Sequence, residues 1–359
     1  GAGSGKTRVL VERFLALVQR GVSPSRILAV TFTNDAAEEL RNRILSRLKS
    51  IEAAEKTLEA VESSAWIGTI HGFCYRIFEQ YGSFLKHPPL KTITDDFELV
   101  SLFSKEYEQW THNLTDKSLQ GLLTYFNSAD LYEMAETIFL NHFHFNQSLS
   151  IIKNRENMGN RMVLRLADLL LPLVNKVRTQ LHEQGSYTFN DLETFTQSIF
   201  LQHPTVALKV QKQFDALLID EFQDTNITQF QLVRALVDEH QNVAVVGDDD
   251  QSIYGWRGAC VSNILDFPKH FNGCRVIRLE RNYRSTPAIL SVANEVIKKN
   301  QARHGKVLRA NPEAEQGLLP EVFVYDNDDI ESEEIASQIT YFLQQGYKAN
   351  EIAVLYRSN

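Results

Sequence analysis

The sequence predicts an α/β fold in which a parallel sheet, covered by helices on both faces, is interrupted by a long helical insertion. Short apolar runs rich in β-branched residues alternate with amphipathic helical patterns along most of the chain. That alternation is typical of a parallel sheet between layers of helices. Residues 83–202 break the alternation, because their pattern is mostly helical and lacks clear buried strands. With 359 residues, 43% of them hydrophobic, the chain is long enough for two or three domains.

The first segment, "GAGSGKT", matches the phosphate-loop pattern G-x-x-x-x-G-K-[ST] from its second position onward. In this pattern the backbone N–H groups of Gly3, Ser4 and Gly5 close around phosphate oxygens. Lys6 would reach the β- and γ-phosphates, and Thr7 would hold a magnesium ion. Helical spacing of apolar residues follows, and the positive end of a helix dipole favours bound phosphate. We interpret the segment as the phosphate loop of an NTPase, with a chance Gly/Ser-rich turn as the alternative.

Two strand–helix units come next. "RILAVTFT" has the β-branched enrichment of a short strand, and "NDAAEELRNRILSRL" is an amphipathic helix capped by Asn or Thr. "AWIGTIHGFCYRIFEQYG" is typical of a strand that turns into a helix at His71–Gly72. These units extend the predicted sheet before the helical insertion begins.

After the insertion, "ALLIDEFQD" is an apolar strand, Ala216–Ile219, whose carboxyl end carries Asp220 and Glu221. Ligands bind at the carboxyl ends of the strands in open α/β sheets. Asp220 would therefore hold magnesium, directly or through water, and Glu221 would orient and deprotonate the attacking water. Adjacent acids after a strand also occur in solvated loops, but the phosphate loop favours the catalytic interpretation.

A third strand, in "VAVVGDDDQSIYGWRGA", would deliver Gln251 close to the γ-phosphate of a bound nucleotide. An amide at that place can hydrogen-bond both phosphate and water. Tyr254, Trp256 and Arg257 would present aromatic faces and a guanidinium plane to stacked bases. The alternative for Trp256 is a core tryptophan that caps the sheet.

The alternation of strands and helices continues to the last residues. "VIRLERNYRS" predicts a strand and turn, and "TPAILSVANEVIKKN" predicts a helix that tolerates Pro287 in its first turn. Strand-like "LPEVFVYD", helical "IESEEIASQITYFLQQG" and strand-like "EIAVLYRSN" follow.

The composition narrows the class of protein. The net charge of −8 argues against a dedicated basic DNA-coating protein but is compatible with a local basic or aromatic groove. Cys74, Cys260 and Cys274 show no metal-binding spacing, which indicates reduced thiols and a cytoplasmic protein. No apolar run reaches transmembrane length and no signal peptide is visible, so no membrane partner is expected.

Several stretches together resemble the ordered motifs of the UvrD/PcrA/Rep family of superfamily 1 helicases: "GAGSGKTR", "AVTFTNDAAEEL", "GTIHGFCYRI", "LLIDEFQDTNITQ", "VVGDDDQSIYGWRGA" and "IRLERNYRSTPAIL". The resemblance implies a RecA-like P-loop NTPase core at 1–82 and 203–278. The helical insertion would occupy 83–202, and a second RecA-like core would start at 279–359. The implied activity is a motor that uses ATP and Mg²⁺ to step 3′ to 5′ along single-stranded DNA and to separate duplex. The implied partners are single-stranded DNA, duplex/single-strand junctions and proteins of DNA repair or replication.

The resemblance also implies roles for further residues. Arg284 in "NYRS" would reach the γ-phosphate from the second core, Tyr283 would stack on adenine, and Arg8 would lie beside the nucleotide. The base-stacking and strand-contacting residues would be Phe32, His71, Phe189, Tyr254, Trp256, Arg257, Arg357 and Asn359.

Alternatives stay open at this level, both for single residues and for the function. Phe32 can instead be a core residue after a strand, and His71 can cap a helix. Phe189 can serve only in packing. The chain can also be the motor subunit of a recombination helicase–nuclease, or a non-motor nucleic-acid-binding protein with a decayed ATP site. The intact Lys6 and Glu221 argue against a decayed site.

Parts of the family pattern are missing from the sequence. The strand that feeds the phosphate loop and the glutamine motif that contacts adenine would precede Gly1, and the later motifs would follow Asn359. We therefore expect a piece of a longer protein, which alone would not unwind DNA and would hydrolyse ATP poorly. The sequence does not indicate an oligomeric state.

Overall fold

The structure, a computed structural model, describes residues 3–113, 127–140, 158–237, 241–255, 258–301 and 303–356. The described strands are β1 (Ile27–Thr31), β2 (Trp66–Thr69), β3 (Thr92–Ile93), β4 (Ser186–Tyr187), β5 (Ala216–Ile219), β6 (Val243–Val245), β7 (Arg281–Asn282) and β8 (Arg309–Ala310). The described helices are α1 (Lys6–Gln19), α2 (Asn34–Ser50), α3 (Glu55–Ser63), α4 (Ile70–Tyr81), α5 (Asp96–Asn113), α6 (Ser128–Leu140), α7 (Met158–Glu183), α8 (Phe189–Gln202), α9 (Pro204–Gln211), α10 (Ile227–Val237), α11 (Ser262–Leu265), α12 (Phe267–His270), α13 (Pro287–Ile297) and α14 (Asp328–Gln344).

A four-stranded parallel sheet, in the order β2–β1–β5–β6, lies at the centre of the fold. Strands β1 and β5 are buried along their whole length, as expected for central strands with helices on both faces. Because all four strands run in one direction, their carboxyl ends lie at one edge of the sheet, where Asp220 follows β5. The predicted α/β class with a parallel sheet is confirmed.

The central strands bury alternate residues against opposite layers of helices, because side chains alternate along a strand. Ile27 and Ala29 of β1 pack in a cluster with α1, α2 and α3. Leu28 and Val30 pack in a second cluster with α4, α8, α9 and α10. Apolar burial on both faces makes the sheet a rigid support for the polar residues at its carboxyl edge.

Three threonines cap the starts of helices near candidate site residues: α2 follows Phe32, α4 carries His71 and α8 carries Phe189. Thr33 Oγ1 accepts from the N–H of Ala36 at 3.2 Å at the start of α2. Thr69 Oγ1 accepts from the N–H of Gly72 at 3.0 Å at the start of α4, and Thr188 closes a capping box with Asp191 at the start of α8. Side-chain caps of this kind satisfy N–H groups that the first turn of a helix leaves unpaired.

The helical insertion has a hydrophobic cluster of its own. Helices α5, α6 and α7 pack around Phe103, Phe139 and Leu170. Helix α8, by contrast, buries Leu192 and Ile199 in the cluster on the sheet. This packing favours a return of the chain to the sheet before α8, earlier than the sequence-based boundary at residue 202. The boundaries of all three domains stay a prediction.

The chain after residue 277 contains the parallel pair β7–β8 and the helices α13 and α14. The strands predicted in "LPEVFVYD" and "EIAVLYRSN" do not form at residues 320–325 and 351–356, and residues 357–359 lie outside the described residues. Val322 and Val324 are 88% and 91% exposed. A strand needs a neighbour for its backbone N–H and C=O groups, and no described segment pairs with these residues. None of the helices within the described ranges combines the length and apolar character that a bilayer crossing requires.

Candidate functional site

The phosphate loop leads directly into α1. Gly3 and Gly5 have positive φ angles of 62° and 82°, a conformation that glycine adopts without steric penalty. The N–H of Val9 donates to Gly5 O at 3.1 Å, so the helix begins at the end of the loop. Ser4 is buried in the loop. The segment is thus a tight glycine turn at the positive end of a helix, which suits a phosphate group.

Thr7 joins this loop to the acids that follow β5. Its hydroxyl donates to Asp220 Oδ2 at 2.8 Å, and Asp220 is 7% exposed. Both are hard oxygen donors of the kind that Mg²⁺ prefers, so the pair fits the predicted magnesium site. Burial lowers the pKa of Lys6, although the carboxylates of Asp248 and Asp220 act to raise it. An anionic phosphate beside Lys6 would favour its charged form.

Glu221 follows Asp220 in a left-handed backbone conformation, with φ 52° and ψ 39°. Its N–H donates to Asp220 Oδ1 at 2.9 Å, which ties the two acids into one turn. Burial and the charges of Asp220 and Asp224 raise the pKa of Glu221 above its ordinary value. A raised pKa suits a carboxylate that must accept a proton from water.

Gln251 ends a short 3₁₀ helix, Asp249–Gln251, that follows β6. Its side-chain amide donates to Asp248 Oδ2. The same oxygen of Asp248 lies 3.9 Å from Lys6 Nζ. Asp248 therefore connects the amide of Gln251 to the lysine of the phosphate loop.

Three consecutive aspartates, Asp248 to Asp250, bring carboxylate oxygens within 4.8 Å of one another. The ammonium group of Lys306 lies among them: it pairs with Asp248 Oδ1 and Asp249 Oδ1 and lies 3.2 Å from Asp250 Oδ2. Arg303 makes two further bonds to Asp250, of 3.0 and 2.8 Å. Burial by itself would lower the pKa of Lys306, but hydrogen bonds to Asp248 and Asp249 raise it above its ordinary value. The acidic cluster is thus neutralised by basic side chains from beyond residue 300.

The segment Asn282–Arg284 lies directly against the phosphate loop. The N–H of Tyr283 donates to Gly3 O at 2.9 Å. A Cβ added to Gly3 would lie 2.6 Å from Arg284 Cβ, so only glycine fits at this contact. Buried Asn282 accepts from the N–H of Arg284 at 2.8 Å, which fixes the turn. The Arg284 side chain is exposed and Tyr283 is 64% exposed, so contacts of either with a nucleotide stay a prediction.

Arg8, the remaining candidate for nucleotide contact, is exposed. It lines an open groove of about 950 Å³ between α1 and α2, together with residues that include Glu12 and Arg47. These contacts do not bear on the position of Arg8 beside a nucleotide, which stays a prediction.

Two pairs of aromatic rings contain four of the candidate strand-contacting residues. Phe32 and Tyr254 stack with ring centroids 5.0 Å apart and planes at 30°. His71 and Phe189 lie 4.8 Å apart with planes at 35°, and Phe189 is 50% exposed. Phe32 is only partly buried, which disfavours its alternative as a core residue. Trp256, Arg257, Arg357 and Asn359 lie outside the described residues.

His71 connects the second aromatic pair to a buried polar network. Its Nε2 lies 2.7 Å from Glu193 Oε1, and Glu193 is 2% exposed. Glu193 also accepts from Asn226 Nδ2 at 2.8 Å and from Gln229 Nε2 at 2.6 Å. Burial by itself would raise the pKa of Glu193, but the hydrogen bond from His71 and these amides lower it. Since Thr69 caps α4, His71 is not the helix cap that the alternative required.

Sequence reasoning missed Glu193 and Lys306. Glu193 falls on the buried stripe of α8 together with Thr196 and Phe200, and a charge on an apolar stripe is a signal that sequence alone contains. Lys306 lies in a loop-like stretch, and no periodicity marks it.

Comparison with protein families gives two matches that together cover almost the whole chain. Residues 1–272 match the UvrD/REP helicase N-terminal domain, and residues 277–359 match the UvrD-like helicase C-terminal domain. Both matches agree with the resemblance inferred from the motifs.

Individual relatives give the same picture. The chain is 34% identical over 365 residues to an ATP-dependent DNA helicase PcrA of Bacillus subtilis, covering 100% of this chain and 45% of the relative. It is 34% identical over 370 residues to DNA helicase II of Haemophilus influenzae, covering 100% and 46%. It is 35% identical over 370 residues to PcrA of Leuconostoc citreum, covering 100% and 44%. The chain therefore spans about half the length of the curated relatives it matches.

Proposed function

Because this chain belongs to the UvrD/REP helicase family, we propose that it is the ATP-binding part of a 3′–5′ DNA helicase or translocase. It would couple ATP hydrolysis to movement along single-stranded DNA and to duplex unwinding in DNA repair or replication. The observation that carries the proposal is the contact of Thr7 with Asp220, at 2.8 Å. It joins the phosphate loop and the acid pair at one edge of a parallel sheet, as phosphoryl transfer from ATP requires.

In this proposal each residue at the edge has one task. Lys6 binds the β- and γ-phosphates, and Thr7 and Asp220 hold Mg²⁺, which would supply positive charge against the phosphates. Glu221 orients the attacking water and accepts its proton, a task that its raised pKa supports. The amide of Gln251 would hydrogen-bond the γ-phosphate after breaking its bond to Asp248.

The segment Asn282–Arg284 would complete the nucleotide site from the opposite side. Arg284 would reach the γ-phosphate and Tyr283 would stack on adenine, since the backbone of this segment already contacts Gly3. Arg8 would lie beside the nucleotide. Closure around ATP would therefore be favoured by the γ-phosphate, and hydrolysis would remove that preference.

The aromatic pairs would hold single-stranded DNA by stacking, which is worth roughly 1–3 kcal/mol per base and is tolerant of sequence. Phe32, Tyr254, His71 and Phe189 would contribute from the described part of the chain. Trp256, Arg257, Arg357 and Asn359 are proposed to contact the strand as well. Duplex/single-strand junctions and repair or replication proteins would be the partners.

The domain division proposed for the chain follows the motifs. Residues 1–82 and 203–278 would form the first RecA-like core, 83–202 the helical insertion, and 279–359 the start of the second core. The packing of α8 on the sheet supports an earlier end of the insertion.

The test is ATP hydrolysis by the full-length protein, with and without single-stranded DNA. Glu221→Gln should lower hydrolysis by roughly 10²- to 10⁴-fold and leave ATP binding intact, because it removes only the proton acceptor. Phe189→Ala should weaken DNA binding by about 1–3 kcal/mol and shift the DNA concentration needed for stimulation.

Matched controls separate these effects from general damage. Glu55→Gln removes an exposed acid of α3, and Phe97→Ala removes a ring that is 85% exposed on α5. Both controls should behave like the wild type. If single-stranded DNA does not stimulate ATP hydrolysis by the wild type, the motor function is refuted and only an NTPase activity remains.

A further inference from the structure

The segment 303–306 binds the loop that carries Gln251. The two segments lie in different family matches, at 1–272 and 277–359. They are joined by Lys306 to Asp248, Asp249 and Asp250, and by the N–H of His304, which donates to Asp249 Oδ2 at 2.8 Å. Lys306 is only 8% exposed. This contact between the two parts of the chain is therefore buried and specific.

Within this contact, Asp248 has partners on three sides. Its Oδ2 accepts from the amide of Gln251 and lies 3.9 Å from Lys6 Nζ, whereas its Oδ1 pairs with Lys306. The backbone N–H of Asp248 donates to Gln223 Oε1 at 2.9 Å. Asp248 is thus fixed in orientation, and the orientation decides where the amide of Gln251 can be held.

We propose that Lys306 is a positioning residue that sets the side chain of Gln251 through Asp248. The inference rests on the proposed function, in which Gln251 contacts the γ-phosphate. Lys306 orients Asp248 by binding its Oδ1, and Asp248 Oδ2 then holds Gln251 next to Lys6. A phosphate that reaches Lys6 would compete with Asp248 for that lysine. The amide of Gln251 would then release Asp248 and hydrogen-bond the phosphate.

The charge of Lys306 is needed because the three carboxylates repel one another at this spacing. Arg303 cannot replace Lys306, since its guanidinium is engaged by Asp250 and by the carbonyl oxygen of Lys306. Without Lys306 the turn Asp249–Gln251 would rearrange, and the amide would lose its place.

The same contact links Gln251 to Arg284. Asn294 of α13 donates to Leu308 O at 2.9 Å and accepts from its N–H at 3.1 Å. Strand β7 ends two residues before Arg284 and pairs with β8, which directly follows Leu308. Lys306 and Arg284 therefore belong to one packed unit. A movement of that unit would displace Arg284 directly and Gln251 through Lys306 and Asp248.

The experiment is a double-mutant cycle on DNA-stimulated ATP hydrolysis by the full-length protein. Lys306→Met keeps the stem of the side chain and removes its charge. It should lower kcat by roughly 10- to 100-fold, as expected for a displaced reacting group, while KM for ATP changes little. Lys306→Arg should restore most of kcat. In a Gln251→Ala background, Lys306→Met should lower kcat by no more than about twofold further.

Two additional variants keep the test decisive. Lys298→Met removes the lysine that directly follows α13, whose side chain is 71% exposed, and should match the wild type. If Lys306→Met does not fold by circular dichroism, Asp249→Asn/Lys306→Met relieves the repulsion and should fold with the same loss of kcat.

The outcomes distinguish failure of the positioning role of Lys306 from failure of the proposed motor function. Wild-type kcat in Lys306→Met, or equal losses with and without Gln251, overturns the role of Lys306 and leaves the motor function standing. A wild-type protein without DNA-stimulated hydrolysis overturns both.

Discussion

Replacing Glu193 by leucine should destabilise the fold more than any exposed substitution on the same helices. Glu193 is 2% exposed and accepts from His71, Asn226 and Gln229 at 2.7, 2.8 and 2.6 Å. Leucine cannot accept any of these bonds. Asn226 and Gln229 are themselves buried, at 7% and 3% exposure, so water cannot replace the lost acceptor.

The expected size follows from these contacts. Each buried amide left without an acceptor costs about 1–3 kcal/mol, and the lost hydrogen bond between His71 and the carboxylate costs about 1.5–3 kcal/mol. These costs overlap, and leucine recovers part of the loss by apolar burial. We therefore expect a loss of about 3–5 kcal/mol in the free energy of unfolding, or about 6–20 °C in Tm for a domain of this size.

The assay is urea unfolding followed by circular dichroism, with Glu79→Leu as the matched control on an exposed position of α4. The control should stay within about 0.5 kcal/mol of the wild type. Glu193→Gln should fall between the two, because it keeps one oxygen acceptor but loses the charge that faces His71. If Glu193→Leu unfolds like the control, the network does not stabilise the fold and the reasoning fails.

Two further predictions concern acid stability and the phosphate loop. Burial alone would raise the pKa of Asp191, but the hydrogen bond from His182 helps to lower it from 3.8 to about 2. The folded pKa lies below the unfolded one, so the stabilisation is present above pH 3.8 and is lost as the pH falls towards about 2. Asp191→Asn should remove that part of the pH dependence in urea titrations between these limits; an unchanged slope would contradict it. Gly3→Ala combines a φ of 62° with a Cβ 2.6 Å from Arg284 Cβ, so it should cost about 1–3 kcal/mol and weaken binding of a fluorescent ATP analogue. Gly68→Ala, where an added Cβ meets no atom within 4 Å, is the control, and equal behaviour of the two variants would refute the close approach.

Much of the first part of the fold could be predicted from sequence, because its signals are local. The apolar strands β1 and β5 end in turn or acidic residues, and the phosphate loop precedes a helix. The sequence could therefore place Thr7 and Asp220 at one edge of a sheet before any distance was known. The contact of the Thr7 hydroxyl with Asp220 Oδ2 at 2.8 Å agrees with that placement.

The parts that failed depend on partners distant in the sequence. Residues 320–325 have a strand-like pattern, but their backbone groups find no ladder among the described residues, and the pattern alone does not make a strand. Lys306 pairs with acids more than fifty positions earlier in the chain. Such a pairing follows from how β7, α13 and β8 pack, which local periodicity does not encode.

The stack of Phe32 on Tyr254 crosses the edge of the sheet at which the two acids lie. Phe32 follows β1 and Tyr254 lies beyond β6, and these strands are separated by β5. Two steps across a sheet span about 10 Å, yet the ring centroids lie 5.0 Å apart. The two rings therefore converge although the strands that lead to them are not neighbours, and β5, which ends in the two acids, runs between those strands. In the proposed function, a bound nucleotide beside those acids and a base held by the two rings would be separated by about the width of one strand. A small shift of either loop would then change the gap between the rings without deforming the sheet.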